Sequence, residues 1–233
     1  MNQNKQYGSG QSGSRGFSTL ELLLVMVVSL VVAALAIPGF NQVRRTLRIS
    51  GDVRDLNGAI NQAKLQAAAD FTDSRVYFDL GANAINTFHI DVWNKNLNCW
   101  QTVGDLDAFG QPRCIIVGTS PVQYLSQNVC FPTAPNCPFL VGAPPPNTQA
   151  NGIQQGPRCD PVNGKKVGQG ASTACVEFNS RGIPVDPATL APSGNEAVYI
   201  TDGSQVYGVT ISATGMSQVW ANNIQNNANW YRK

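Results

Sequence analysis

Residues 22–37 of this 233-residue chain are apolar at every position except Ser29. They include eleven Leu, Val or Ile residues. At roughly −0.3 to −0.6 kcal/mol each, these contribute about −3 to −7 kcal/mol towards insertion into a bilayer. One acid, Glu21, stands immediately before the run. A carboxylate at the centre of a membrane helix costs about 2.5 to 3.5 kcal/mol, and one at its end costs less. Insertion is therefore favoured. Residues 1–16 are polar and rich in Gly, Ser and Gln, with Lys5 and Arg15 as their only charges. That composition predicts disorder. The two cations predict a cytoplasmic N-terminus and export of the chain beyond the apolar run.

Three readings of this segment are open. Ala34-Leu35-Ala36 fits the small-residue cleavage site of a secretory signal, which would release a soluble protein starting at Ile37. Ser18-Thr19-Leu20-Glu21 fits a helix capping box, which explains Glu21 within a plain single-span anchor. The third reading takes in the whole segment. Arg15-Gly16-Phe17-Ser18-Thr19-Leu20-Glu21, followed at once by the apolar run, resembles the class III signal of type IV pilins and type II secretion pseudopilins. The resemblance implies that a prepilin peptidase cuts between Gly16 and Phe17, removing residues 1–16 and methylating Phe17. It implies that Glu21, fifth in the mature chain, pairs with the N-terminal amine of a neighbouring subunit during assembly. The physics is compatible, because an acid in lipid needs a partner. Pro38 and Gly39 resemble the helix-loosening pair of many pilins. The implied partners are the peptidase, other pilin or pseudopilin subunits and an inner-membrane assembly platform.

Beyond Pro38 the pattern becomes one-sided. Phe40, Val43, Leu47, Val53, Leu56, Ile60, Ala63 and Ala67 recur mostly at three or four residues, while Arg44, Arg45, Arg48, Asp52, Arg54, Asp55 and Lys64 take other faces. This predicts an amphipathic helix over residues 40–70, ending near Ala69. Residues 17–39 form its transmembrane or filament-core half, and Pro38 should kink it.

Residues 71–233 read as β-structure. Residues 75–80 and 87–93 alternate, placing Val76, Phe78 and Leu80, then Phe88, Ile90 and Val92, on one face each, with residues 81–86 as a hairpin loop. Further strands are predicted at 113–117, 174–178, 197–201, 206–212 and 217–220, the last two joined by a turn at 213–216. Seven strands with turn punctuation predict two packed antiparallel sheets. The fold class is thus α+β: a long N-terminal helix packed on an antiparallel β-domain, which the resemblance to pilins implies is pilin-like.

An insertion runs from about residue 95 to 170. Its later part, residues 130–170, holds eight of the fourteen prolines and three of the six cysteines, with no regular period. So long a loop needs a constraint. The cysteines, Cys99, Cys114, Cys130, Cys137, Cys159 and Cys175, supply one. None forms a CxxC pair, so they predict disulfides in an oxidising compartment rather than a zinc site. Six cysteines allow 15 connectivities, of which sequential pairing is the simplest.

The helix end DLNGAINQAKLQAAAD, the strand RVYFDL and the late run CVEFNSRGIPVD … AVYITDGSQVYGVTISATGMSQVW are similar to the FimT/GspH group of minor pilins and pseudopilins. Phe178 and Gly182 match that group's strand-and-turn pattern, and Gly215 its final hairpin. The resemblance implies a minor, tip or initiation, subunit. Residues 95–170 depart from the group, being longer and richer in Cys and Pro.

No catalytic constellation is visible, so no enzymatic activity and no cofactor is expected. His89 is the only histidine, and it alternates with the apolar residues of its strand, which places it towards solvent or a loop. No GxSxG, HExxH or P-loop is present. Asp70, Asp73 and Asp79 match no calcium loop, so no metal is expected. Trp230-Tyr231-Arg232-Lys233 mixes aromatic and basic residues as single-strand binders do, though a frayed terminus explains it as well. A net charge of +2 does not by itself imply DNA as a partner.

Overall fold

A computed structural model describes residues 18–80, 86–115, 121–132, 137, 159, 173–187, 189–194, 196–223 and 230–233. Among the described residues the first element is a helix, α1 (Thr19–Ala69). Its first 26 residues belong to one compact unit, residues 1–44, and the rest to a second, residues 45–233.

In the first unit α1 starts at Ser18, whose Oγ accepts the Leu20 N–H at 3.3 Å while its carbonyl accepts the Glu21 N–H at 3.0 Å. The helix runs through Pro38 and Gly39 without interruption. Ser29 interrupts the apolar run without leaving a polar group stranded, because its Oγ donates to the Val25 carbonyl at 2.7 Å.

In the second unit α1 buries Ile49, Val53, Leu56, Ile60, Ala63 and Ala67, at successive spacings of three or four residues. The sequence pattern placed the start of this stripe at Phe40. Phe40, Val43 and Leu47 are instead 55–66% exposed, and Ile49 opens the buried face. Asp52 is also buried, because it reaches the 125–129 loop: Ser126 donates to it through Oγ (2.8 Å) and N–H (3.1 Å). The helix ends in a left-handed residue, Phe71 at φ 50, with the Thr72 N–H returning to the Ala67 carbonyl at 3.2 Å. That is the 6→1 bond of a Schellman cap. Lys95 Nζ donates to the Phe71 carbonyl from the neighbouring turn.

Among the described residues ten strands follow, in two antiparallel sheets. The first contains β1 (Ser74–Asp79), β2 (Thr87–Asn94), β3 (Cys99–Thr102), β4 (Gln123–Tyr124), β5 (Thr173–Phe178) and β6 (Pro184–Val185). Its order is β3-β2-β1-β5-β6, with β4 pairing the start of β2. The second contains β7 (Glu196–Thr201), β8 (Gln205–Ile211), β9 (Ser217–Asn223) and β10 (Tyr231–Arg232), in the order β10-β9-β8-β7. The α1 stripe, Val76, Phe78 and Phe88 of the first sheet, and Val198, Ile200 and Val209 of the second form one core cluster.

Several details correct the sequence pattern. Residues 113–115 form no strand, although Ile115 N–H donates to the Trp100 carbonyl at 2.9 Å. The edge pieces β3, β4, β6 and β10 are too short, at two to four residues, to show an alternating period. Two of them, β3 and β4, lie inside the stretch read as an insertion. Of the hairpin loop expected at residues 81–86, residues 81–85 lie outside the described residues, and Asn86 takes a left-handed backbone at φ 42. The chain terminus is not frayed: Tyr231 pairs with Ala221 and Arg232 with Trp220.

Candidate functional site

The apolar half of α1 buries none of its side chains, and Leu20 to Ile37 carry thirteen large hydrophobics between 52% and 76% exposed. This is the only helix among the described residues long and apolar enough to cross a membrane; a signal sequence near an N-terminus passes the same test. Glu21 lies in the first turn, where a carboxylate is favoured by the helix dipole. Ser18 caps the backbone, while the Glu21 side chain has no hydrogen-bond partner among the described residues. The reciprocal half of the capping box is therefore not made. Gly16 and Phe17 lie outside the described residues. A Cβ at Gly39 would meet nothing within 4 Å, so this glycine is not required for space.

In the second unit, the two glycines singled out by the sequence come together. Gly182 (φ 70) closes the turn after β5, and Gly215 (φ 72) the β8–β9 hairpin. A Cβ on Gly215 would lie 2.6 Å from the Gly182 carbonyl oxygen. Lys64 of α1 ties this junction down, with Nζ donating to the carbonyls of Thr214 (3.2 Å) and Gly215 (3.1 Å). Lys64 is thus a structural clamp, half-buried rather than on a solvent face.

The outward face of the first sheet is not a solvent face. Arg75, Asp91 and Glu177 are all at most 1% exposed. Arg75 Nε donates to Asp91 Oδ2 at 2.9 Å, and Thr102 Oγ1 donates to Asp91 Oδ1 at 2.9 Å. The guanidinium carbon lies 4.2 Å from the Trp100 ring centroid. His89 joins this group with Nε2 3.3 Å from Asp91 Oδ1, and its ring stacks on Tyr77. Its side chain is 13% exposed, which corrects the expectation of a solvent-facing histidine. Burial alone would push the Asp91 carboxyl up, but Arg75 and His89 hold it below the usual carboxylate range. No group of three metal-ligating side chains is found among the described residues.

Three disulfides join Cys99 to Cys114, Cys130 to Cys137 and Cys159 to Cys175. The last seats Cys159 against Tyr77 on the buried outward face, where its carbonyl accepts the Thr173 hydroxyl at 2.8 Å. That contact helps explain why alternation along β1 fails as a guide to exposure.

A further carboxyl was not singled out from sequence. Glu196 at the start of β7 is 6% exposed, and burial pushes it up to about 8, with Asp186 and Glu177 adding like charge. Ser193 Oγ donates to its Oε1, while Oε2 is buried without a hydrogen-bond partner among the described residues.

Of the clefts that the described residues of the second unit form, two have similar volumes. One, of about 590 Å³, lies between α1 and β4 and is lined by Asp55, Gln62, Phe88 and Tyr124. The other, of about 580 Å³, gathers Arg45 and Arg48 of α1, Asn86, Asn128 and the 202–204 turn. The terminal aromatics lie elsewhere: Trp230 packs 6.2 Å from Tyr199, and Lys233 Nζ lies 5.4 Å from the Tyr231 centroid.

These features define an α+β protein with one long N-terminal helix, an apolar candidate membrane segment and a disulfide-bonded antiparallel β-domain. Comparison with protein-family models, with curated proteins and with solved structures finds no match.

Proposed function

We propose that this chain is a minor pilin or pseudopilin: a structural, non-enzymatic subunit held in the bacterial inner membrane, cleaved between Gly16 and Phe17, methylated, and built into a type IV pilus or a type II secretion pseudopilus. Its N-terminus would be cytoplasmic and its β-domain periplasmic. The observation that carries the reading is the division of labour within α1. Its first part offers an unburied apolar surface with a single acid, Glu21, at its start. Its last part buries a regular stripe in the β-domain core. Such a helix suits two surroundings at once, a bilayer or filament interior and a folded domain. Disulfides suit the periplasm. The Arg15-Gly16-Phe17 sequence supplies the processing signal, and the carboxylate of Glu21 is free to meet an amine.

The test is the N-terminal peptide of the chain isolated from membranes of its native host. A chain beginning with N-methylated Phe17 supports the reading. One beginning at Ile37 makes this a secreted soluble β-protein, and an intact Met1 makes it a plain anchor. Glu21→Ala provides an independent check. The variant should stay membrane-bound and be cleaved, yet enter filaments poorly; normal incorporation would count against the assembly role.

A further inference from the structure

The cleft lined by Arg45 and Arg48 has no part in processing, in pairing through Glu21 or in the β-domain core. The two arginines are three residues apart on α1 and therefore share a helix face. Neither has a carboxylate partner among the described residues, whereas Arg75 and Arg113 are paired at 2.9 and 2.7 Å. One acid lines the same cleft. Asp202 holds its own turn through Oδ1, which accepts from Ser204 N–H (2.9 Å), Ser204 Oγ (2.8 Å) and Gln205 N–H (2.8 Å), while its Oδ2 is buried without a hydrogen-bond partner among the described residues. Two arginines against one aspartate leave a single positive charge. Asn86 and Asn128 add two uncharged amide residues to the lining.

We propose that this cleft binds the phosphodiester of an anionic phospholipid headgroup, taken from the bilayer that the apolar segment enters. The inference rests on the membrane insertion in the proposed function, and on neither processing nor filament assembly. A guanidinium pair presents forked donors that match phosphate oxygens, and one net positive charge matches one phosphodiester. The tether favours lipid over a free anion. Arg45 follows Ile37, the last residue of the apolar run, by eight residues. Even a fully extended chain of that length reaches no more than about 28 Å. A headgroup at the end of the apolar segment is therefore presented at high effective concentration.

The experiment uses the full chain in nanodiscs of equal parts phosphatidylglycerol and phosphatidylcholine, with retained lipids counted by native mass spectrometry after detergent release. The wild type should retain phosphatidylglycerol preferentially. Each basic residue at a membrane surface changes lipid affinity about fivefold, so Arg45→Ala/Arg48→Ala should cut the preference by about 25-fold. Arg181→Ala removes an exposed arginine of the turn after β5 and serves as the surface-charge control. It should change the preference by less than about twofold. An unchanged preference in the double variant overturns the proposal, as does an equal loss in Arg181→Ala. Displacement of the retained lipid by inorganic phosphate at the same concentration that phosphatidylglycerol itself requires would overturn the lipid assignment. An intact Met1 on the membrane-bound chain would sink the pilin reading and leave this site standing.

Discussion

Replacing Glu196 by Gln should make the β-domain more stable at pH 8 while changing it little at pH 5. In an unfolded chain the carboxyl titrates near 4.5, and in the fold burial raises it to about 8. The folded state therefore holds its proton more tightly, and stability is greatest below the unfolded value. It falls as pH rises from 4.5 and levels off near 8. Each tenfold difference in proton affinity is about 1.4 kcal/mol, so the full loss across that window is up to about 5 kcal/mol. The structural cause is specific: Oε2 is buried without a hydrogen bond among the described residues, and only Ser193 offsets the charge. Glutamine has the same shape and no charge to strand. All four tryptophans, Trp93, Trp100, Trp220 and Trp230, belong to the β-domain, so their fluorescence reports its unfolding in denaturant. The full chain in detergent, kept oxidised, would be unfolded at pH 5, 6, 7 and 8. The stability difference between variant and wild type should grow by about 4 kcal/mol from pH 5 to 8. A difference that stays constant across that range refutes the argument, because it would mean that Glu196 is ionised in the fold throughout.

Other perturbations test other parts of the domain. Asp91→Asn removes the buried carboxylate that accepts from Arg75 Nε at 2.9 Å and should destabilise by about 3–5 kcal/mol in the same denaturation assay; a cost under about 1 kcal/mol would show that the cluster relaxes to water. Gly215→Ala forces a Cβ to within 2.6 Å of the Gly182 carbonyl at φ 72 and should cost about 2 kcal/mol or more. Gly58→Ala, exposed and helical with nothing within 4 Å, should instead stabilise by up to about 1 kcal/mol. Cys99→Ser/Cys114→Ser opens a bridge of sequence separation 15 and should lower stability by about 3 kcal/mol, read as a fall in the denaturation midpoint.

Hydrophobic period and punctuation carry the long elements. The end of α1 at Ala69 and the strands β1, β2, β5, β7, β8 and β9 lie within a few residues of where their alternation places them. These patterns are local: a period of 3.6 or 2 is written along the chain itself. The unburied apolar segment is equally local, since sixteen residues with one hydroxyl can satisfy their backbone as a helix without outside help. Short edge pieces such as β3 and β4 have too few residues for a period, and only their neighbours make them strands.

The long elements are therefore legible in the chain alone: one helix with an apolar half, and strands enough for two antiparallel sheets. Which polar residues are buried is settled only once the chain has folded. Arg75, Asp91 and Glu177 sit at positions that alternation assigns to solvent, yet the far face of their sheet is covered, and Cys159 is stapled onto it. Likewise Asp52, Lys64 and Glu196 look like surface charges along the chain. Their burial depends on loops more than seventy residues away for Asp52 (Ser126), about 150 for Lys64 (Thr214) and on the packing around β7 for Glu196. The Arg45 and Arg48 cleft is of the same kind, because α1 and the 202–204 turn come together only in the fold. Desolvation depends on everything that surrounds a group, and no local pattern in a chain records what will be folded over it.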